Sequence, residues 1–175
     1  GVRVCFDYVR GRQRWAFPTG GAIKSTAAVA GDTVYVTSWD GKLYGLRGAT
    51  GEKRLEFAAT APSMSSPAAH GDAVFFGSDD GVLRAVNRNG SLAWAFPTQG
   101  PISSSPTVLQ ESALLAFGSR DRHLYLLDLA TGDSRQEIEL GGPISSVPAA
   151  VGDSLFVNDD AGTLYAFRSL GAAGN

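Results

Sequence analysis

Asp40-Gly41-Lys42-Leu43-Tyr44, Asp80-Gly81-Val82-Leu83-Arg84, Asp121-Arg122-His123-Leu124-Tyr125 and Gly162-Thr163-Leu164-Tyr165 are one phrase written four times. The leucines stand at 43, 83, 124 and 164, steps of 40, 41 and 40. A fixed period of this length marks a repeat architecture, and it has to be read before any single segment. Two further markers keep the same period. Gly is followed four residues later by a mostly bulky position, as Gly11/Trp15, Gly51/Leu55, Gly90/Trp94 and Gly132/Gln136. A hydroxyl-rich stretch recurs as Lys24-Ser25-Thr26, Ser65-Ser66-Pro67, Ser103-Ser104-Ser105-Pro106 and Ser145-Ser146-Val147-Pro148.

Within each repeat the pattern is β. Thr33–Ser38 and Ala73–Ser78 are short β-branched and aromatic runs, matched by Leu114–Phe117 and Ser154–Val157. Turn signals such as Gly31-Asp32, Gly71-Asp72 and Gly152-Asp153 precede them, and Asp40-Gly41 is a hairpin signal. No segment keeps a helical stripe. Four strands fit each unit: one near Ala27–Ala30, one at Thr33–Ser38, one at Lys42–Arg47 and one at Arg14–Phe17 or Ala93–Phe96. Four short antiparallel strands per unit is the arithmetic of a β-propeller blade. One blade cannot bury both of its faces, so several must stack.

The expected fold is therefore an all-β propeller segment over 1–175, with repeats at about 1–40, 41–80, 81–121 and 122–161 and a final strand at 162–168. Gly1–Asp7 and Gly162–Arg168 align with the same, third strand of a blade. The phase predicts three complete blades, a strand pair at the start and three strands at the end. It reads as a partial ring or a section of a larger propeller, with a processed or truncated start. Open blade edges predict self-association.

Composition narrows the function classes. The chain has 175 residues, 22 of them Gly, 43% hydrophobic and 18% charged, as expected of a turn-rich globular protein rather than a disordered one. The net charge of −2, with no basic stripe, argues against nucleic acid. A lone cysteine, Cys5, excludes an internal disulfide. No apolar run approaches a membrane span, and no charged-then-apolar leader is present.

The linker between third and fourth strands carries a family likeness. Cys5-Phe6-Asp7 with Gly11 and Trp15, Gly45-Leu46-Arg47 with Thr50-Gly51 and Leu55, Ala85-Val86-Asn87 with Gly90 and Trp94, and Leu126-Leu127-Asp128 with Thr131-Gly132 and Gln136 resemble the Ala-x-Asp-x-x-Thr-Gly-x-x-x-Trp motif of pyrroloquinoline-quinone (PQQ) repeats. Cys5 takes the motif's Ala position, as a small apolar residue would. In that family the Trp wedges between blades. Leu55 and Gln136 depart from it, and Gln136 implies a looser contact. The rival WD40 pattern is not met. Trp39-Asp40 is a lone Trp-Asp pair at a turn, and the Thr-Gly plus Trp spacing favours the PQQ type.

The resemblance implies a non-enzymatic interaction scaffold with a protein partner. Relatives include the propeller lipoprotein of the outer-membrane β-barrel assembly machinery and repeat domains attached to bacterial kinases, which favours an extracytoplasmic bacterial setting. A quinone-type sensor attached to a kinase and a fragment of a PQQ-dependent dehydrogenase are the alternatives. No quinone or metal constellation is legible, so no cofactor, metal ligand or catalytic residue is expected. Asp79-Asp80 and Asp159-Asp160 sit at hairpin turns, where Asp is favoured locally. His70 and His123 lie in different repeats without ligand partners. The serine runs recur with every blade and have no nucleophile elbow. The candidate interaction face is Trp39, Asp79, Asp80, Arg120, Arg122 and His123, because second-to-third-strand turns and blade crossovers share one end of a propeller.

Overall fold

The computed structural model describes residues 2–7 and 9–168. The strands are β1 (Val2–Asp7), β2 (Arg12–Pro18), β3 (Ala28–Ala30), β4 (Thr33–Thr37), β5 (Lys42–Arg47), β6 (Lys53–Ala58), β7 (Ala68–His70), β8 (Ala73–Gly77), β9 (Val82–Asn87), β10 (Leu92–Pro97), β11 (Thr107–Leu109), β12 (Leu114–Gly118), β13 (His123–Asp128), β14 (Ser134–Glu139), β15 (Ala149–Val151), β16 (Ser154–Asn158) and β17 (Leu164–Arg168). They form a two-stranded sheet, β1-β2, three four-stranded sheets, β3–β6, β7–β10 and β11–β14, and a three-stranded sheet, β15–β17. Every pairing is antiparallel between chain neighbours. Three complete blades flanked by two and three strands is the phase that the leucine spacing predicts. Among the described residues the only helix is the 3-10 turn Gln110–Ser112, which is too short and polar to cross a membrane.

Alternation within each strand sends neighbouring side chains to opposite faces of the blade. In the third strand, Leu43, Leu83 and Leu124 face the following blade. Leu43 packs with Val74 and Phe76, Leu83 with Leu115 and Phe117, and Leu124 with Leu155 and Val157. The core is thus a series of blade-to-blade seams rather than one centre. Short inner strands β3, β7, β11 and β15 line up side by side round the axis.

The serine stretches tie these inner edges together. The Ser66 hydroxyl accepts the Thr26 N–H, and the Ser105 hydroxyl accepts the Ser66 N–H, both at 2.8 Å. The Ser104 hydroxyl donates across the next boundary to the Ser146 carbonyl at 2.6 Å. Within blades, the Ser65 and Ser104 hydroxyls accept the N–H groups of Gly77 and Gly118. These hydroxyls satisfy backbone groups that the short inner strands leave unpaired.

The Trp motif works where it is kept. Trp15 donates its indole N–H to the Gly48 carbonyl of the next blade at 2.9 Å and lies over Gly51. A Cβ at Gly51 would sit 2.7 Å from the ring, and at Gly132 2.6 Å from the Trp94 ring, so each indole is seated on a residue with no side chain. Leu55 is buried but reaches no such seat; a Cβ at Gly90 would meet nothing. Gln136 is exposed, and a crevice of about 920 Å³ opens beside it between the third complete blade and the last sheet.

One hairpin departs from the repeat. Gly41, Gly81 and Gly162 have φ of 78°, 74° and 95°, and at the same place Arg122 has φ of 76°. A residue with a Cβ is strained there. Arg122→Gly is expected to raise stability by roughly 0.5–1 kcal/mol, since relief of strain outweighs the loss of the exposed Arg122–Glu139 pair. Urea unfolding of the two proteins measures the difference.

Candidate functional site

Each second-to-third-strand turn is held from below by a carboxylate. Asp40 Oδ2 accepts the Tyr44 hydroxyl at 2.8 Å and the Gly20 N–H at 2.7 Å, while Oδ1 accepts the Lys42 N–H at 3.2 Å. Asp121 repeats this with Tyr125 at 2.9 Å, the Gln99 N–H at 2.9 Å and the His123 N–H at 3.0 Å. Gly20 and Gln99 lie in the crossovers leaving the preceding blades, so each aspartate staples two blades.

At Asp80 an arginine replaces the tyrosine. Arg84 donates from Nη2 to Oδ2 at 2.7 Å and from Nη1 to Oδ1 at 3.1 Å, and Ser78 and Thr60 donate their hydroxyls as well. In the last sheet the carboxylate moves to Asp159, which accepts from Thr163 N–H at 2.8 Å and Tyr165 hydroxyl at 3.0 Å. Burial opposes ionisation of Asp40 and Asp80, but the hydrogen bonds to their carboxylates outweigh it and hold both below the usual range. Burial, reinforced by the Asp bonds, pushes the Tyr44 and Tyr125 hydroxyls above the usual phenol range. These groups stay in one protonation state at neutral pH, which suits anchoring rather than proton transfer.

Above the aspartates, one turn position projects outward in every blade. It holds Trp39, Asp79, Arg120 and Asp160. Their N–H groups bond the crossover carbonyls of Ala22, Pro62, Pro101 and Pro143 at 2.8, 2.9, 3.0 and 2.7 Å. Trp39 is 45% exposed, and Asp79 and Arg120 are exposed beside it in sequence order. Arg120 and Asp160 approach to 3.8 Å across a blade boundary. Met64, 42% exposed, lies on the crossover that meets Asp79. A small cleft of about 150 Å³ runs from Trp39 to Thr60 and Pro62.

Of the six expected face residues, Trp39, Asp79 and Arg120 thus share one equivalent, outward position. Asp80 is turned inward onto Arg84 as a staple. Arg122 occupies the strained turn position and pairs with Glu139. His123 begins β13, with Nδ1 3.1 Å from the Asp121 carbonyl and its ring beside Tyr125. Asp160 and Met64 were not among the expected residues. Asp160 was legible, because 39, 79, 120 and 160 keep the same steps as the leucines. Met64 had no such signal. Among the described residues no three His, Cys, Asp or Glu side chains converge to hold a metal.

The fold and this stapled rim define a PQQ-type β-propeller. The chain belongs to the PQQ-repeat family described as "Outer membrane protein assembly factor BamB", whose profile matches residues 2–143 and, overlapping, 79–172. The crystal structure of BamB from Moraxella catarrhalis superposes with a TM-score of 0.84 at 21% identity, covering 96% of this chain and 52% of that one. The computationally designed Ika4 protein superposes at 0.77 with 14% identity, covering 86% of this chain and 93% of that one. A curated relative, the "Beta-alanine-activating enzyme" of Danio rerio, is 34% identical over 105 residues, 57% of this chain and 9% of that protein. The chain therefore spans under a tenth of that relative and about half of BamB.

Proposed function

We propose that this propeller segment is a non-catalytic scaffold that docks a protein partner on the rim formed by Trp39, Asp79, Arg120 and Asp160, with Met64 beside them. The observation that carries the reading is the single repeated turn position. It sets an exposed indole and charges of both signs along one end of the blades, while the ionisable groups beneath are committed to holding the turns. Trp and Arg are enriched among residues that dominate binding energy. BamB is named as an assembly factor, and a role in envelope assembly is the extension of that likeness to this chain. The β-alanine-activating enzyme is named for an activity, but the match spans 9% of that protein, so the activity is not carried over to this chain.

A photo-crosslinking residue placed at 39, 79 or 120 tests the rim against one placed at Arg54 on the outer strand β6. The expected result is one protein captured from the rim positions and not from position 54, with Trp39→Ala plus Arg120→Ala raising its Kd about tenfold or more. Equal capture from both regions, or an unchanged Kd, overturns the reading.

A further inference from the structure

We propose that the cleft between Trp39 and Asp79 receives an arginine side chain of the protein partner. This contact rests on the docking reading above and gives it a chemistry.

Both walls belong to complete blades. Trp39 stands on the turn between β4 and β5, and Asp79 on the turn between β8 and β9 of the next blade. The crossover of residues 59–63 runs between them. Its Thr60, Ala61 and Pro62 line the cleft with Trp39, and the Asp79 N–H bonds the Pro62 carbonyl at 2.9 Å. Two blades on, the same turn position brings Arg120 and Asp160 within 3.8 Å, so side chains here span a blade boundary. A guanidinium lying on Trp39 is thus in reach of Asp79.

The cleft offers acceptors without donors. Among the described residues no group donates to the Asp79 carboxylate, whereas Asp40, Asp80, Asp121 and Asp159 beneath each accept at least two hydrogen bonds. Arg120, the next rim residue, is drawn to Asp160 on its other side. The Ala61 carbonyl also lacks a donor, and comparison of the repeats shows why. In two like crossovers Thr19 and Thr98 give their hydroxyls to the carbonyls of Gly21 and Gly100, both at 2.8 Å. Ala59 stands at the corresponding place and has no hydroxyl to give. Gly41 lets this carbonyl close in under the turn, since a Cβ there would lie 3.1 Å from it.

The remaining wall is the half-exposed Trp39 ring. A carboxylate, a bare carbonyl and an indole together suit a flat cation with several N–H donors. Guanidinium stacks on aromatic rings and forks its donors onto oxygen acceptors, whereas an ammonium is a compact point charge. The cleft of about 150 Å³ has room for one side chain, well below the roughly 300–1,000 Å³ of small-molecule sites. The occupant it fits is a residue of a protein.

Nuclear magnetic resonance on the isotope-labelled chain tests this, with N-acetyl-argininamide as the probe and N-acetyl-norleucinamide as its uncharged counterpart. The expected result is a saturable shift of the Trp39 indole and Asp79 amide signals with the arginine probe, at a Kd of about 10 mM, and none with norleucinamide. Asp79→Asn is expected to weaken binding about tenfold. Ala59→Thr, which returns the hydroxyl found at Thr19 and Thr98, is expected to weaken it about threefold or more. Glu111→Gln removes the same charge at the far end of a blade and is expected to leave the Kd within about twofold. No saturable shift up to about 100 mM probe, an equal response to norleucinamide, or a Kd unmoved by either Asp79→Asn or Ala59→Thr overturns the proposal. A partner crosslinked to the rim while the arginine probe fails overturns this contact and leaves the docking rim standing. An arginine response with no protein captured from the rim supports the cleft and tells against the docking reading instead.

Discussion

Asp80→Asn is expected to lower the unfolding free energy by about 3 kcal/mol at neutral pH, because it strands a buried guanidinium. Arg84 is only 8% exposed, and its charge is balanced by the two Asp80 oxygens. An amide keeps the shape but neither the charge nor the second acceptor. Arg84→Tyr is expected to cost far less. It removes the charge together with the need for it, and places at position 84 the residue that serves Asp40 and Asp121 as Tyr44 and Tyr125. The two variants, unfolded in urea, separate a stranded charge from a lost contact.

The pH dependence follows from the direction of the Asp80 shift. Arg84, Ser78 and Thr60 hold its folded pKa below the ordinary carboxylate value, against the opposing effect of burial. The carboxylate's contribution is therefore fully present above about pH 4 and is lost as pH falls through the folded pKa. The penalty of Asp80→Asn is expected to be greatest near neutral pH and to shrink in acid. A penalty that is constant from pH 7 to pH 3 would show that the charge is not its source.

The second large effect lies at the blade seams. A Cβ at Gly77 would fall 2.2 Å from Ile102 Cγ2, and at Gly118 2.1 Å from Ile144 Cγ2. Both isoleucines are fully buried in the crossover that enters the next blade. At the first seam the same two positions hold Thr37 and Ser63, again fully buried. The repeat conserves summed size, with a large crossover residue over glycine or a small one over threonine. Gly77→Thr alone is expected to cost about 3 kcal/mol by overpacking, and Ile102→Ser alone about 3 kcal/mol by leaving a cavity. Together they rebuild the first seam, so the double variant is expected to recover roughly 2 kcal/mol of the sum. Chemical denaturation of the four proteins in the cycle measures this coupling. Additive costs would show that the two positions do not share one space.

These seams mark where sequence reading stops. The leucine phrase and the hairpin signals were sufficient for blade count and strand phase, because each needs only period-two alternation and a turn residue at a fixed offset. The serine stretches were legible as a mark of every blade for the same reason. What pairs Gly77 with Ile102 is a contact between two blades, and the local sequence of neither position names its partner. The candidate rim was legible in part. Trp39, Asp79 and Arg120 emerge together because a propeller brings equal offsets to one end. Asp80, one residue along, turns inward, since alternation at the turn reverses its direction and Arg84 and Ser78 stand ready to receive it.

The amino-acid sequence alone determined that this chain is a run of PQQ-type blades of four short strands each. Strand, turn and repeat are set by neighbours along the chain, so they can be read there. The tertiary structure decided which aspartates anchor and which project, and which glycines seat an indole or an isoleucine. Each of these depends on what stands about forty residues away, on the adjoining blade. Burial and partner choice are properties of the seam, and a seam exists only once the blades have stacked.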